Sequence, residues 1–152
     1  MPGRRVPTEA DLGTTARLNG TTSPGGITAG MDYSPEAIKT FGYGEYLRGL
    51  IGDPPVGMPN PHGHHGVFKI GIGEKQQTLV QEGQQILRDY DIDPIYGIEN
   101  LSWAPNRVKD QHSIDALEPL VEDLRELREL GAPREEVLKV LQMHQDISAS
   151  RR

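Results

Sequence analysis

Glycine and proline are crowded into the first half of the chain, and this distribution limits where a core can form. The 152 residues include 18 glycines and 12 prolines, most of them before the midpoint. Glycine weakens helices and strands, and proline interrupts them. We therefore expect an irregular first half and a modest hydrophobic core in the second half.

Composition excludes several classes of protein. The chain has no cysteine, which rules out disulfides and cysteine-based zinc sites, so a metal would need His, Asn, Asp, Glu or backbone ligands. No apolar run approaches the roughly 18 residues of a membrane span, and the opening "MPGRRVPTEADLGTT" lacks the apolar stretch of a classical signal peptide. The net charge of −6 argues against a broad basic nucleic-acid surface.

The first third reads as an arm with a short broken helix. Residues 1–33 are rich in Gly, Ser and Thr, which predicts a coil or an arm that orders on a partner. Ser34 followed by Pro35 is a typical helix start. Gly42 and Gly44 interrupt the apolar pattern that follows, so we expect two short helices or one broken helix.

The remaining chain predicts an α+β fold that is mostly helical. Apolar spacing and turn residues predict a strand within His64–Gly73, a helix over 74–90 and a short strand over 100–105. A long helix should begin near residue 105 and reach residue 130, and a last helix should open at Pro133. We accordingly divide the chain into an arm or linker, residues 1–52, and a functional domain, residues 53–152.

The segment "NPHGHHGVFK" holds three of the five histidines within four residues. Neighbouring side chains on a strand point to opposite sides, so His64 and His65 can take different roles, one toward a metal and one toward a water. A neutral imidazole, with a pKa of about 6.5, is suited to activating water. A divalent metal can stabilise the charge of a phosphodiester under attack.

This segment, together with "GIENLSWAPNRVKDQH", resembles the GHH-signature nuclease toxins of the HNH/endonuclease VII superfamily. The resemblance covers roughly Asp53–Leu130. It rests on the triplet Gly63, His64 and His65, a helix inserted between two strands, Asn100–Leu101, Trp103–Asn106 and His112. It implies a ββα-metal (His-Me finger) core with an inserted helix and C-terminal helices.

The resemblance also implies roles for individual residues. His65 would be the general base, His64 and His112 would ligate the metal, and Asn100 would orient the loop that bears the base. The residues themselves leave open which histidine of the pair is base and which is ligand.

Further residues are expected around the phosphate. Asn106 would be a metal ligand or a phosphate contact, although its spacing of six from His112 does not put both on one helix face. The positive charges expected to hold the scissile phosphate are those of Lys69, Arg107 and Lys109. Of these, Lys69 is also counted among the catalytic residues. His62, in its Pro/Gly loop, is assigned to substrate binding.

The function implied is that of a metal-dependent endonuclease toxin with DNA as the expected substrate. The cofactor would be a divalent ion, Mg, Zn, Mn or Ni. Such toxins often form the tips of Rhs- or PAAR-type secretion effectors in interbacterial competition. The resemblance therefore also implies a delivery module, action in the target-cell cytoplasm and a cognate immunity protein. Two alternatives stay open: an RNase using the same site, and a non-catalytic protein-interaction module.

Overall fold

The computed structural model describes residues 22–152 as an α+β fold built mainly from helices around a two-stranded antiparallel sheet. In chain order its elements are a 3₁₀ turn Pro24–Gly26, α1 Pro35–Thr40, α2 Tyr43–Ile51, β1 Pro61–His65, α3 Gly73–Asp89, a 3₁₀ turn Ile98–Asn100, β2 Leu101–Pro105, α4 Ile114–Glu129 and α5 Arg134–Ser150. Of the coil predicted over residues 1–33, the part up to residue 21 lies outside the described residues.

Most predicted helices are confirmed because their start and stop signals act locally. The Ser34 hydroxyl accepts a hydrogen bond from the Ala37 N–H at 3.2 Å and caps α1. The chain breaks at Gly42, giving the two short helices α1 and α2. The predicted α3 and β2 are confirmed, and α5 begins one residue after Pro133.

The predicted strand within His64–Gly73 is wrong in extent, since β1 ends at His65. The Asn100 side chain takes both backbone groups of Val67, accepting its N–H at 2.9 Å and donating to its carbonyl at 2.9 Å. With those groups occupied, residue 67 does not continue the strand pairing.

The predicted start of the long helix near residue 105 is also wrong, because α4 begins at Ile114. Arg107 and Asp110 have φ values of 60° and 66°, in the left-handed region that a right-handed helix cannot include. His112 therefore lies in the turn before the helix and not on the helix.

The register of the sheet sorts its side chains into two faces. His62 pairs with Ala104 and His64 with Ser102, whereas Gly63 pairs with Trp103 and His65 with Leu101. Paired residues share a face and successive residues alternate. His62 and His64 therefore share one face, and His65 lies on the other.

Residues from both sides of position 52 build the core behind the His65 face. Tyr43 and Leu47 of α2 are buried with Ile95, Tyr96, Leu101 and Trp103, and partly buried residues from Met31 to Met58 pack around them. A second cluster joins α3, α4 and α5, with Val67, Ile86, Leu120, Leu124 and Leu141 at its centre. The sheet is thus held between the first cluster, which we call the aromatic layer, and a layer of helices.

Candidate metal centre

Three histidines converge on one side of the sheet. His62 and His64 lie on the same face of β1, and His112 reaches them from the turn before α4. One ring nitrogen from each lies within 4.8 Å of the others. We call these three residues the histidine cluster. Within residues 22–152, it is the group of three or more His, Asp or Glu side chains that lie close enough together to hold a metal ion.

The geometry of the histidine cluster fits a metal ion. The Nε2 atoms of His62 and His112 are 3.3 Å apart, close to the about 3.3 Å that separates two imidazole nitrogens on one tetrahedral zinc ion. The His62 Nδ1 lies 2.8 Å from the Ala104 carbonyl, to which it donates, so its Nε2 keeps a lone pair. His64 is 2% exposed, and its buried Nδ1 has no hydrogen-bond partner in the described structure.

The surrounding protein keeps the histidine cluster uncharged. Loss of hydration lowers the pKa values of His62, His64 and His112, most strongly that of His64, which alone of the three is buried, and positive neighbours lower them further. At neutral pH the three rings are neutral imidazoles, which is the form that binds metals.

His65 has different surroundings, because it lies on the opposite face. Its ring is 5% exposed and packs edge-on against the Tyr43 ring, with centroids 4.5 Å apart. Its Nε2 donates to the Ile95 carbonyl at 2.9 Å, and burial lowers its pKa to about 3. These contacts anchor the end of β1 to the aromatic layer.

Asn100 holds the loop that leaves β1. Besides the two bonds to Val67, the side-chain amide of Asn100 donates to the Pro94 carbonyl at 2.8 Å. The backbone carbonyl of Asn100 accepts the Gly66 N–H at 3.0 Å. Asn100 is fully buried, so these bonds are shielded from water and rigidify the segment between His65 and Lys69.

Lys69 is the predicted cation that lies close to the histidine cluster. It is partly buried, with Nζ 5.0 Å from the centre of the Tyr43 ring. Burial lowers its pKa, and its charge lowers the pKa values of His62 and His112. A positive charge that acts on His62 and His112 can contribute to binding an anion at the cluster.

The other predicted residues lie in the turn after β2. The Asn106 Oδ1 accepts the Arg107 N–H at 2.9 Å, and the Asn106 N–H donates to the Asn60 carbonyl at 2.8 Å. Arg107 and Lys109 are exposed. In the described chain, none of the three side chains bonds to the histidine cluster, and their roles stay predictions.

Sequence reasoning missed Gln111 and Arg151. Gln111 is 1% exposed and lies next to His112, and Arg151 donates to its Oε1 at 2.6 Å. No motif or periodicity marks either residue, because a bond between positions 40 residues apart leaves no local pattern. Only the fold brings the end of α5 to Gln111, the residue before His112.

The chain was compared with protein-family models, with curated proteins and with solved structures, and nothing matched it in any of the three comparisons.

Among the described residues, no helix combines the length and apolar character needed to cross a membrane.

Proposed function

We propose that this chain is a metal-dependent endonuclease that hydrolyses phosphodiester bonds, with DNA as the expected substrate. The observation that carries the proposal is the convergence of His62, His64 and His112 around one point. Structural zinc sites are closed by four protein ligands, whereas catalytic sites use three and keep a position open. A three-histidine set, with His112 exposed and His62 half-buried, is of the second kind.

The charge of the site supports an anionic substrate. Within residues 22–152, no carboxylate belongs to the histidine cluster, so neutral imidazoles would leave the double charge of a divalent ion uncompensated. Lys69 adds a further positive charge nearby. A phosphodiester is an anion that such a site would attract, even though the whole chain carries a net charge of −6.

The order of the elements also supports the proposal. His62 and His64 lie on the first strand, α3 lies between the strands, and His112 lies between the second strand and α4. We propose that β1, β2 and α4 are the ββα-metal unit and α3 its inserted helix.

Each residue has a part in the proposed reaction. His62, His64 and His112 would hold the ion, with the tautomer of His62 set by its bond to the Ala104 carbonyl. A bound ion would polarise a phosphoryl oxygen and lower the pKa of the attacking water. Asn100 fixes the loop before Lys69, which would hold the phosphate. Among Mg, Zn, Mn and Ni, a set of three imidazoles favours Zn²⁺ or Ni²⁺ over Mg²⁺, which prefers oxygen ligands.

The test is cleavage of a plasmid by the purified protein with each metal, in EDTA, and with a histidine variant. His112 is exposed, so His112→Ala should fold. It should lose most zinc affinity and about 100-fold or more in cleavage rate, because even the loss of a residue that only supports a metal ligand costs about 10- to 100-fold. His144→Ala is the matched control, because His144 bonds Asp123 on α4 instead of joining the cluster. Full activity in EDTA, or in His112→Ala, would rule the proposal out.

His65→Ala in the same assay decides the role of His65. If the folded variant keeps its zinc but does not cleave, His65 is the general base, as the resemblance implies. If it still cleaves, the bound ion activates the water and His65 is structural, as its burial favours. RNA replaces DNA as the substrate in a second series, and zinc binding without cleavage of either would favour the interaction module.

The biological setting is a proposal from the resemblance alone. A nuclease of this kind would be delivered by a secretion system into a competing bacterium, and the producer would need an immunity protein against it. Expression of the chain inside a bacterium should then be toxic to that bacterium. Toxicity that His112→Ala abolishes would be the first evidence for this role.

A further inference from the structure

The side chain of Arg151, which follows the last helix, is bonded to Gln111, the residue immediately before His112. Its Nη1 donates to the Gln111 Oε1 at 2.6 Å and to the Ser148 Oγ at 3.2 Å. Gln111 in turn donates from Nε2 to the carbonyls of Pro105 at 2.7 Å and Ser148 at 2.9 Å. The buried Gln111 therefore ties the end of β2, the turn bearing His112 and the end of α5 to one guanidinium group.

The bonds of Arg151 use only part of its guanidinium. A guanidinium carries five N–H donors, and within the described residues the bonds of Arg151 all leave from Nη1. Nε and Nη2 keep donors for another partner. Arg151 is partly exposed, so a solute can reach these donors.

The charge of Arg151 acts on the histidine cluster. It lowers the pKa values of His64 and His112, while Lys69 acts on His62 and His112. The two cations thus influence different members of the cluster and share His112. Within residues 22–152 no carboxylate of the cluster offsets these charges.

We propose that Arg151 is a second phosphate-binding residue of this site, held in orientation by Gln111. Nε and Nη2 of a guanidinium form a fork that matches two oxygens of one phosphate group. The free edge of Arg151 would bind the scissile phosphate while Lys69 contributes a point charge. This inference rests on the proposed phosphodiesterase function, because it assigns the substrate group that the histidine cluster would process.

The first test measures phosphate binding, which needs no catalysis. Inorganic phosphate is titrated calorimetrically into the wild-type chain, Arg151→Ala and Arg152→Ala, each with zinc and in EDTA. Arg152 is the matched control, since it is exposed and, among residues 22–152, its side chain bonds the carbonyls of Ala149 and Arg151. We expect Arg151→Ala to weaken phosphate binding about 10- to 100-fold, the usual effect of losing a charge-assisted pair, and Arg152→Ala to leave it unchanged.

Equal phosphate binding by all three proteins, or no binding by any, would overturn the assignment of Arg151. Circular dichroism establishes that each variant folds. Arg151→Lys is the second variant, because it keeps the charge but loses the fork, and it should recover part of the phosphate affinity. Full recovery would show that only the charge matters and would refute the bidentate contact.

Cleavage kinetics separate this inference from the function on which it rests. Arg151→Ala should lower kcat/KM for the nucleic acid while zinc affinity stays at the wild-type value. If the wild-type chain cleaves but Arg151→Ala cleaves equally well, Arg151 has no such role and the nuclease proposal survives. If the wild-type chain does not cleave, the nuclease proposal fails, and phosphate titration still decides what Arg151 binds.

Discussion

At the scale of single residues, neighbours in the sequence have separate surroundings in the fold. His64 and His65 are adjacent, yet alternation along β1 sends His64 to the histidine cluster and His65 to the aromatic layer. His62, two residues before His64, returns to the same face. A strand segment carrying the pattern HxHH therefore offers two ligands to one side and an anchor to the other.

The burial of His65 predicts a dependence of stability on acid. In the unfolded chain the His65 ring binds a proton with a pKa of about 6.5, whereas in the folded protein its pKa is about 3. Stability should therefore fall as pH drops through this interval, by up to about 1.4 kcal/mol per pH unit for His65 alone. Urea denaturation of the chelator-treated protein at pH 7, 6 and 5 measures the slope.

A His65→Gln variant is the control for this pH dependence. Glutamine can still donate to the Ile95 carbonyl but does not titrate, so part of the slope should disappear. A wild-type stability that stays constant from pH 7 to pH 5 would contradict the prediction.

At the scale of elements, β1 and α2 pack too closely to admit a side chain at the contact. A Cβ atom added at Gly63 would lie 2.9 Å from the backbone carbon and oxygen of Tyr43. A backbone contact of this kind cannot be relieved by rotating a side chain. The tight approach places the Tyr43 ring against His65, on the face of β1 opposite the histidine cluster.

Gly63→Ala should lower the free energy of unfolding by about 1–3 kcal/mol, because the two elements must move apart to accept the methyl group. Zinc affinity should fall with it, since β1 carries His62 and His64. Thermal and urea denaturation measure the first effect, and zinc competition with a chelator measures the second.

Gly49→Ala is the matched control within α2. A Cβ atom there meets nothing within 4 Å, and alanine favours a helix by up to about 1 kcal/mol over glycine. This variant should be as stable as the wild-type chain or more so. Equal stability of the Gly63 and Gly49 variants would refute the close contact.

At the scale of the whole molecule, the described part of the Gly/Pro-rich first third, residues 22–52, packs against the rest of the fold. Thr28 and Tyr33 donate to the buried carboxylate of Asp93. Tyr43 and Leu47 lie in the core with residues from the far side of the predicted boundary at 52 and 53. The segment 22–52 therefore forms the layer on which the sheet rests.

A chain reduced to residues 53–152 should lose its native packing. Removing Tyr43 and Leu47 alone forfeits about 1.5–3 kcal/mol each of burial, a large part of the 5–15 kcal/mol that stabilises a typical domain. We expect binding of a hydrophobic dye, a weak near-ultraviolet aromatic signal and low zinc affinity. A chain beginning at residue 22 keeps these contacts and is the control. Cooperative unfolding of the shorter chain at the same midpoint would contradict the prediction.

Local sequence signals were enough to predict the helices and the short strand β2, because caps, breakers and apolar spacing act over a few residues. Ser34 with Pro35 and Gly42 located α1 and α2. The expected ends of β1 and the start of α4 were wrong, because a side chain 33 residues away occupies Val67, and left-handed residues delay the helix.

Which histidines meet depends on the tertiary fold. The sequence singled out His64 and His112, but the membership of His62, the separation of His65 and the approach of Arg151 depend on strand register and on contacts between distant segments. A ligand set is a property of distances in space, and spacing along the chain reports those distances only within one helix or strand.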